Sequence, residues 1–558
     1  MGLLLYLWLA PPPGPDVPDG SVALVELDGA YVEGAEPPLL ARLLGSRARS
    51  FVSQLSTIRK AERDERLAAI VFRIRDLEIG WGKAHELREA IAEASGRGRR
   101  TVAFLELESF AANLEYYVAS GAQEVYVAPA ARAPLLGQAA QYLFHGGRRE
   151  MHGVEIEVER LGRFKSAAET FAGREMSPAM REMADALLDS VDERFVEDIA
   201  KGRSLPPDAV RAAIAASPSG GDAMMKFGLV DGVKHRDELL EELGGEVVEA
   251  DDYAAVPPSD VGFDPTARFA LVYGSGGVVV GRGDLTPQGE PVLASDTVAD
   301  AIDQAVDDEE IDAIIFRVDS PGGSALASDI VYRATERARA AGKPVIASFS
   351  DVAASGGYYV AAGADAIFAA PSTITGSIGV FVLRPVLAGA FDKLDVGYAS
   401  LVRGPNADLQ LSTRALTPAG RERLRGEVEE IYTLFVERVA DGRALSADAV
   451  DAVGQGRVWT GAQAKEHGLV DRLGGLRAAV LEGKQRAGID ADADVALVVY
   501  PPPRSLYEQL DDLLKGLRAT RLDALPPVPD AVRRAGPWLR AAVEGRPTAL
   551  IPFSIEIR

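Results

Sequence analysis

Ser355 stands in Ala354-Ser355-Gly356-Gly357, between an apolar run ending near Ser350 and a helical stretch reaching Val360. A second pattern, Asp319-Ser320-Pro321-Gly322-Gly323-Ser324, comes directly after another apolar run. Glycine has no Cβ, so paired glycines let backbone amides approach a ligand closely. A serine opening a helix sits where amides and helix dipole favour developing negative charge. Together the two patterns predict a nucleophile, Ser355, and its oxyanion hole. Each alone has a plainer reading: Pro-Gly-Gly as a tight turn, and the serine as an N-cap.

The residue types present narrow the choice of base. The 558-residue chain has no cysteine, which excludes thiol nucleophiles, disulfides, iron–sulfur clusters and thiolate zinc sites. Its histidines (His85, His145, His152, His235, His467) show no zinc-ligand spacing. Asp490, Asp492 and Asp494 begin like a calcium loop, but Val495 and Pro501 stand where glycine and glutamate belong. There is no Walker loop, dinucleotide-binding glycine motif or Gly-x-Ser-x-Gly elbow. A lysine serves as base if burial keeps it neutral. Leu161-Gly162-Arg163-Phe164-Lys165-Ser166 offers Lys165, for which a solvated surface position is the alternative.

These residues belong to a chain that contains itself twice. LAAIVFRI from Leu67 recurs as IDAIIFRV from Ile311, and Tyr116-Tyr117-Val118 recurs as Tyr358-Tyr359-Val360. Gly202-Arg203-Ser204-Leu205 and Gly228-Leu229-Val230-Asp231 recur as Gly442-Arg443-Ala444-Leu445 and Gly468-Leu469-Val470-Asp471. Four anchors in constant order define a duplicated domain. The copies differ where chemistry is expected. Opposite DSPGGS the first copy has IRDLEIGW (Ile74 to Trp81), and opposite Ser355 it has Asn113-Leu114-Glu115. Conversely, the region of the second copy that matches Lys165, Arg403 to Asp408, has no lysine. No histidine precedes His467 in the second copy, and His467 falls in a shared element where the first copy has Phe227. One composite site across the two halves is expected.

In each copy, buried runs alternate with helical spacing, the pattern of an α/β domain. In the second copy the expected strands are Phe269 to Tyr273, Ala313 to Val318 and Val345 to Phe349, and the expected helices are Thr297 to Val306 and Ala327 to Ala341. The reading divides the chain into an apolar start and Pro-rich linker (1–21), a first repeat (22–248), a linker (249–266), a second repeat (267–500) and a helical tail (501–558) with a helix at Leu506 to Leu517. The net charge of −23, from 60 basic and 83 acidic side chains, argues against nucleic-acid binding, and 47% apolar residues argue against disorder. Gly2 to Ala10 is the longest apolar run at the start. As a helix it reaches about 13 Å, short of a roughly 30 Å hydrocarbon core, so it is an interfacial or partial anchor, or a short arm packed on the body.

On these motifs the chain resembles the signal peptide peptidase A (protease IV) family in its long duplicated form, from about Val22 to Val499. The most specific stretches are GRFKSAAETF, DSPGGS, AASGGYYVA and Thr375-Gly376-Ser377-Ile378-Gly379. The resemblance implies tandem crotonase-like domains related to the Clp protease, and a serine–lysine dyad endopeptidase without metal or cofactor. Ser355 would be the nucleophile, Lys165 the general base, Gly323 and Gly356 the oxyanion amides, and Ser377 the hydroxyl that orients the lysine. The implied substrates are extended apolar peptides such as cleaved signal peptides. The implied setting is a homotetramer associated with the periplasmic face of a bacterial inner membrane, with a cytoplasmic location as the alternative. An acyl-coenzyme A enzyme of crotonase type and a noncatalytic scaffold are the competing functions.

Overall fold

Runs rich in valine, isoleucine and alanine become parallel strands with both faces covered, and the amphipathic stretches between them become crossover helices. The computed structural model describes residues 15–34, 49–286, 290–502 and 548–550. The apolar start and the helix expected at Leu506 to Leu517 lie outside these residues. Two compact units form: one from residues 1–139 and 192–265, the other from 140–191 and 266–557. Strands of three or more residues are numbered in chain order.

The first unit is built on a parallel sheet with β1 (Ser21–Val32), β2 (Leu67–Glu78), β3 (Arg100–Leu105) and β4 (Glu124–Val127) in sequential order. The linker expected at 249–266 is not structureless. Ala250–Ala254 is a helix, and the buried Lys60 amine donates to the carbonyls of Ala254 (2.7 Å) and Val256 (3.0 Å). The amine can be buried because it donates to three carbonyls at and just beyond the end of that helix, which need donors.

The second unit has two sheets. Its strands are β5 (Glu155–Leu161), β6 (Pro265–Ser275), β7 (Gly277–Val279), β8 (Val292–Ala294), β9 (Ala313–Ser320), β10 (Gly322–Ser324), β11 (Val345–Ala354), β12 (Ala366–Ala369), β13 (Ile374–Gly376), β14 (Val380–Val386), β15 (Val458–Thr460), β16 (Asp494–Tyr500) and β17 (Thr548–Leu550). The main sheet runs β15-β13-β11-β9-β6-β16, with β12 also on β11. The other runs β8-β7-β10-β17-β14-β5. The predicted strands and helices of the second copy all form; the strands run further than expected, and the helices are Ser295–Asp307 and Ala325–Ala340, the second starting two residues earlier and ending one earlier than expected. Within the expected tail, residues 548–550 are strand.

The recurring sequence anchors recur because they bond one another. In the first unit the Tyr116 hydroxyl donates to Leu229 O (2.6 Å), Val125 N donates to Asp231 (2.7 Å), and Arg203 pairs with Asp231. In the second unit Tyr358 donates to Leu469 O (2.8 Å), Ile367 N to Asp471 (2.7 Å), and Arg443 pairs with Asp471. The tyrosine and aspartate bonds satisfy backbone groups at the same point of the same fold, and in each unit the arginine holds that aspartate.

Candidate active site

Strand register brings the site together. β11 and β13 are parallel with Ala354 opposite Gly376, so the next residues, Ser355 and Ser377, emerge side by side at neighbouring strand ends. Both serines take positive φ, 57° and 54°, and Ser355 has ψ −118°. L-residues rarely hold this conformation, which costs on the order of 1–3 kcal/mol and persists where surrounding bonds over-determine it. Here Ser355 N donates to Gly376 O (2.7 Å), and the amides of Tyr358 and Tyr359 donate to Ser355 O. The reading of Ser355 as an N-cap does not hold, because its side chain makes no cap bond to helix Gly356–Tyr359. Ser324, by contrast, does cap its own helix, Ala325–Ala340, accepting from Ala327 N (3.3 Å).

The Ser355 hydroxyl faces Lys165 instead, with Nζ 2.7 Å from Oγ. Lys165 reaches this point because β5 pairs antiparallel with β14, Leu161 opposite Val380, and the turn after Leu161 is anchored by Phe164 against Met183, Leu187, Ile374 and Val458. Nζ also lies 3.0 Å from Ser377 Oγ and 3.1 Å from Ser377 O. Lys165, Ser355 and Ser377 are all 0% exposed. Burial pushes the lysine amine well below its ordinary value of 10.5, since no solvent stabilises the cation. Lys165 is thus a fully buried group and not the solvated lysine weighed as its alternative.

The lysine comes from the first repeat in sequence but from the second compact unit in space: residues 140–191 fold with 266–557. The expected site across two halves is corrected accordingly, for β5 adds to the sheet that contains β10 and β14. Two further glycines make room for the lysine side chain on its way to the amine. A Cβ on Gly456 would lie 2.5 Å from Lys165 Cβ, and one on Gly379 would lie 3.2 Å from Lys165 Cδ. Gly379 belongs to the TGSIG stretch, where the sequence suggests no role for it, and no motif marks Gly456. His467 packs on Trp459, ring centroids 4.2 Å apart.

Gly323 is the middle residue of β10, directly after the turn at the end of β9. It lies opposite Val278 of β7, and a Cβ on it would lie 2.2 Å from Val278 O, so only glycine fits. Gly356 is the first residue of the helix that begins after Ser355. A strained, non-capping serine against a fully buried amine whose cation is disfavoured is an arrangement able to perform acyl transfer with a base other than histidine.

That chemistry is the chemistry of a serine hydrolase. Residues 103–247 and 337–490, more than half the chain, match the model of peptidase family S49. The chain belongs to peptidase family S49 and is a serine-type endopeptidase. It is 33% identical over 470 residues to the chloroplastic serine protease SPPA of Arabidopsis thaliana, covering 82% of this chain and 68% of that one. It is 30% identical over 453 residues to Protease 4 of Salmonella typhi, covering 78% and 71%. Among solved structures, a mutant of the 1510-N membrane-bound stomatin-specific protease in complex with a substrate peptide matches at 17% identity and a TM-score of 0.27, covering 45% of this chain and 98% of that one. The two family regions, the repeated bonds and the parallel sheets agree with the tandem duplicated α/β class expected from the sequence.

Proposed function

We propose that the peptidase works through a dyad of Ser355 and Lys165, and the observation that carries this is the 2.7 Å approach of the two within a site closed to solvent. In the neutral amine, two N–H bonds point to the carbonyl and hydroxyl of Ser377, and the lone pair accepts from the Ser355 hydroxyl. As Oγ attacks the scissile carbonyl carbon, Lys165 takes the hydroxyl proton. The carbonyl oxygen becomes an oxyanion held by the amides of Gly323 and Gly356. The C–N bond then breaks, the ammonium protonates the departing amine, and an acyl-serine remains. Water attacks the ester with Lys165 again as base, which releases the acid and restores the hydroxyl. Ser377 positions the amine and takes no part in bond making. Neither an acyl-coenzyme A enzyme nor a scaffold calls for a buried amine bonded to a strained serine.

The substrates we assign are extended, apolar peptides such as cleaved signal peptides, because apolar strand ends surround the serine and strand edges bind backbone in a sequence-tolerant way. Profiling a peptide library by mass spectrometry, with a fluorophosphonate probe reporting the serine, is expected to show small or apolar residues before the cut. A dominant charged residue there removes this substrate class.

For assembly and location, we place a homotetramer at the periplasmic face of a bacterial inner membrane. Support comes from the family resemblance and the apolar run Gly2 to Ala10. Among the described residues no helix is long and apolar enough to cross a membrane. Fractionation with protease accessibility in spheroplasts is expected to find the protein in the membrane fraction and cleavable from outside; a soluble monomer confined to the cytoplasm would end this assignment.

A further inference from the structure

β10 carries Gly323, and β17 lies along it. The pairing is antiparallel, with Gly322 opposite Leu550, Gly323 opposite Ala549 and Ser324 opposite Thr548. On its other edge β17 meets β14, Thr548 opposite Phe381. β17 therefore fills a slot one strand wide, between the strand that supplies Gly323 and the strand that pairs with the approach to Lys165. It also comes within 8 Å, Cα to Cα, of helix Gly356–Tyr359, which begins at the nucleophile. Ser355 itself is fully buried.

Removing β17 would leave two facing strand edges, a ready template for an extended peptide. A peptide whose carbonyl is to reach the Gly323 amide must run along β10, where β17 now runs. In sequence, the stretch Thr548-Ala549-Leu550-Ile551-Pro552-Phe553 is uncharged in a chain of 143 charged residues. It has the apolar character of the proposed substrates.

We propose that Thr548–Leu550 is an intramolecular occupant of the peptide groove, an autoinhibitory strand that substrate must displace. This rests on the dyad reading of the site. Between Tyr500 and Thr548 lie 47 residues, a tether that presents the segment to the groove at an effective concentration on the order of millimolar or below. Short peptides compete poorly with such a tethered strand, and their apparent KM rises while kcat is untouched.

The test is Ala549→Pro in the full-length chain. Because β17 is flanked on both sides, loss of the N–H and the fixed ring torsion disrupt its pairing whichever edge the amide addresses. Apparent KM for a short apolar chromogenic peptide is expected to fall about tenfold, with kcat within about twofold, as tethered competition is lost. A fluorophosphonate is expected to label the variant faster than wild type. Added in trans, a synthetic peptide of residues 546–553 is expected to inhibit the variant competitively. Should the proline variant not fold, Ala549→Gly with Leu550→Gly weakens the strand through backbone entropy and gives the same readouts. Unchanged KM and labelling rate, with no inhibition by the peptide, in a protein that still hydrolyses substrate overturns the autoinhibitory strand and leaves the dyad intact. Absence of both labelling and hydrolysis in wild type and variants alike overturns the dyad and this proposal together.

Discussion

Ser355→Ala is expected to lower kcat by about 10⁴-fold or more, since nucleophile and base act as a unit and the remaining amides supply only residual catalysis. The fold should survive the change. The lost hydroxyl makes its bond to Lys165 and caps no helix, so the cost in stability is about 1 kcal/mol, as for a typical buried hydrogen bond. At this chain's size that moves the melting temperature by no more than about 4 °C. Kinetics and thermal melting on one preparation decide it: a folded variant with appreciable turnover removes Ser355 from the mechanism.

Lys165→Arg is expected to be as inactive as the serine variant, although charge is conserved, because a guanidinium cannot give up its proton to act as base. It should also be less stable, for it forces a permanent cation and extra volume into a space bounded by Gly379 and Gly456. Lys165→Met separates the two effects: it is expected to be inactive yet at least as stable as wild type at neutral pH. The pH dependence has a definite sign. Wild-type kcat/KM should rise as pH climbs through the depressed lysine value, since the neutral amine is the active form. Between that value and the ordinary 10.5 the unfolded chain binds one proton more than the folded one, so the lysine's contribution to stability rises with pH across the window. A flat profile, or normal hydrolysis by Lys165→Arg, would show that Lys165 is not the base.

The serine and the lysine are legible in the sequence because each stands where its own repeat differs from the other. Their meeting is legible only as a pairing of types. The register that achieves it, Ala354 opposite Gly376 and Leu161 opposite Val380, belongs to strands with no distinctive sequence period, and β5 lies in a stretch that repeat alignment assigns to the first copy. Gly456 escapes notice for a related reason. Its role is to leave space for a side chain nearly 300 positions earlier in the chain, and nothing local announces such a requirement. The strands of the second copy are readable because burial on both faces makes them continuous apolar runs, whereas β17 disappears into an expected helical tail because three residues are too few to show alternation.

The division of the chain into units also sets a schedule. Lys165 and Ser355 belong to one compact unit but are 190 positions apart, and residues 192–265 of the other unit are made between them. At ordinary rates of synthesis, about 5–20 residues per second, Lys165 leaves the ribosome roughly ten to forty seconds before Ser355 does. Through that interval the growing chain holds a lysine with no nucleophile to activate. β15, which borders the lysine's anchoring cluster, is made about a hundred residues later still. With the proposed dyad as the catalyst, hydrolysis is expected only from chains made at least as far as residue 460, a time course that assaying released nascent chains of increasing length would check.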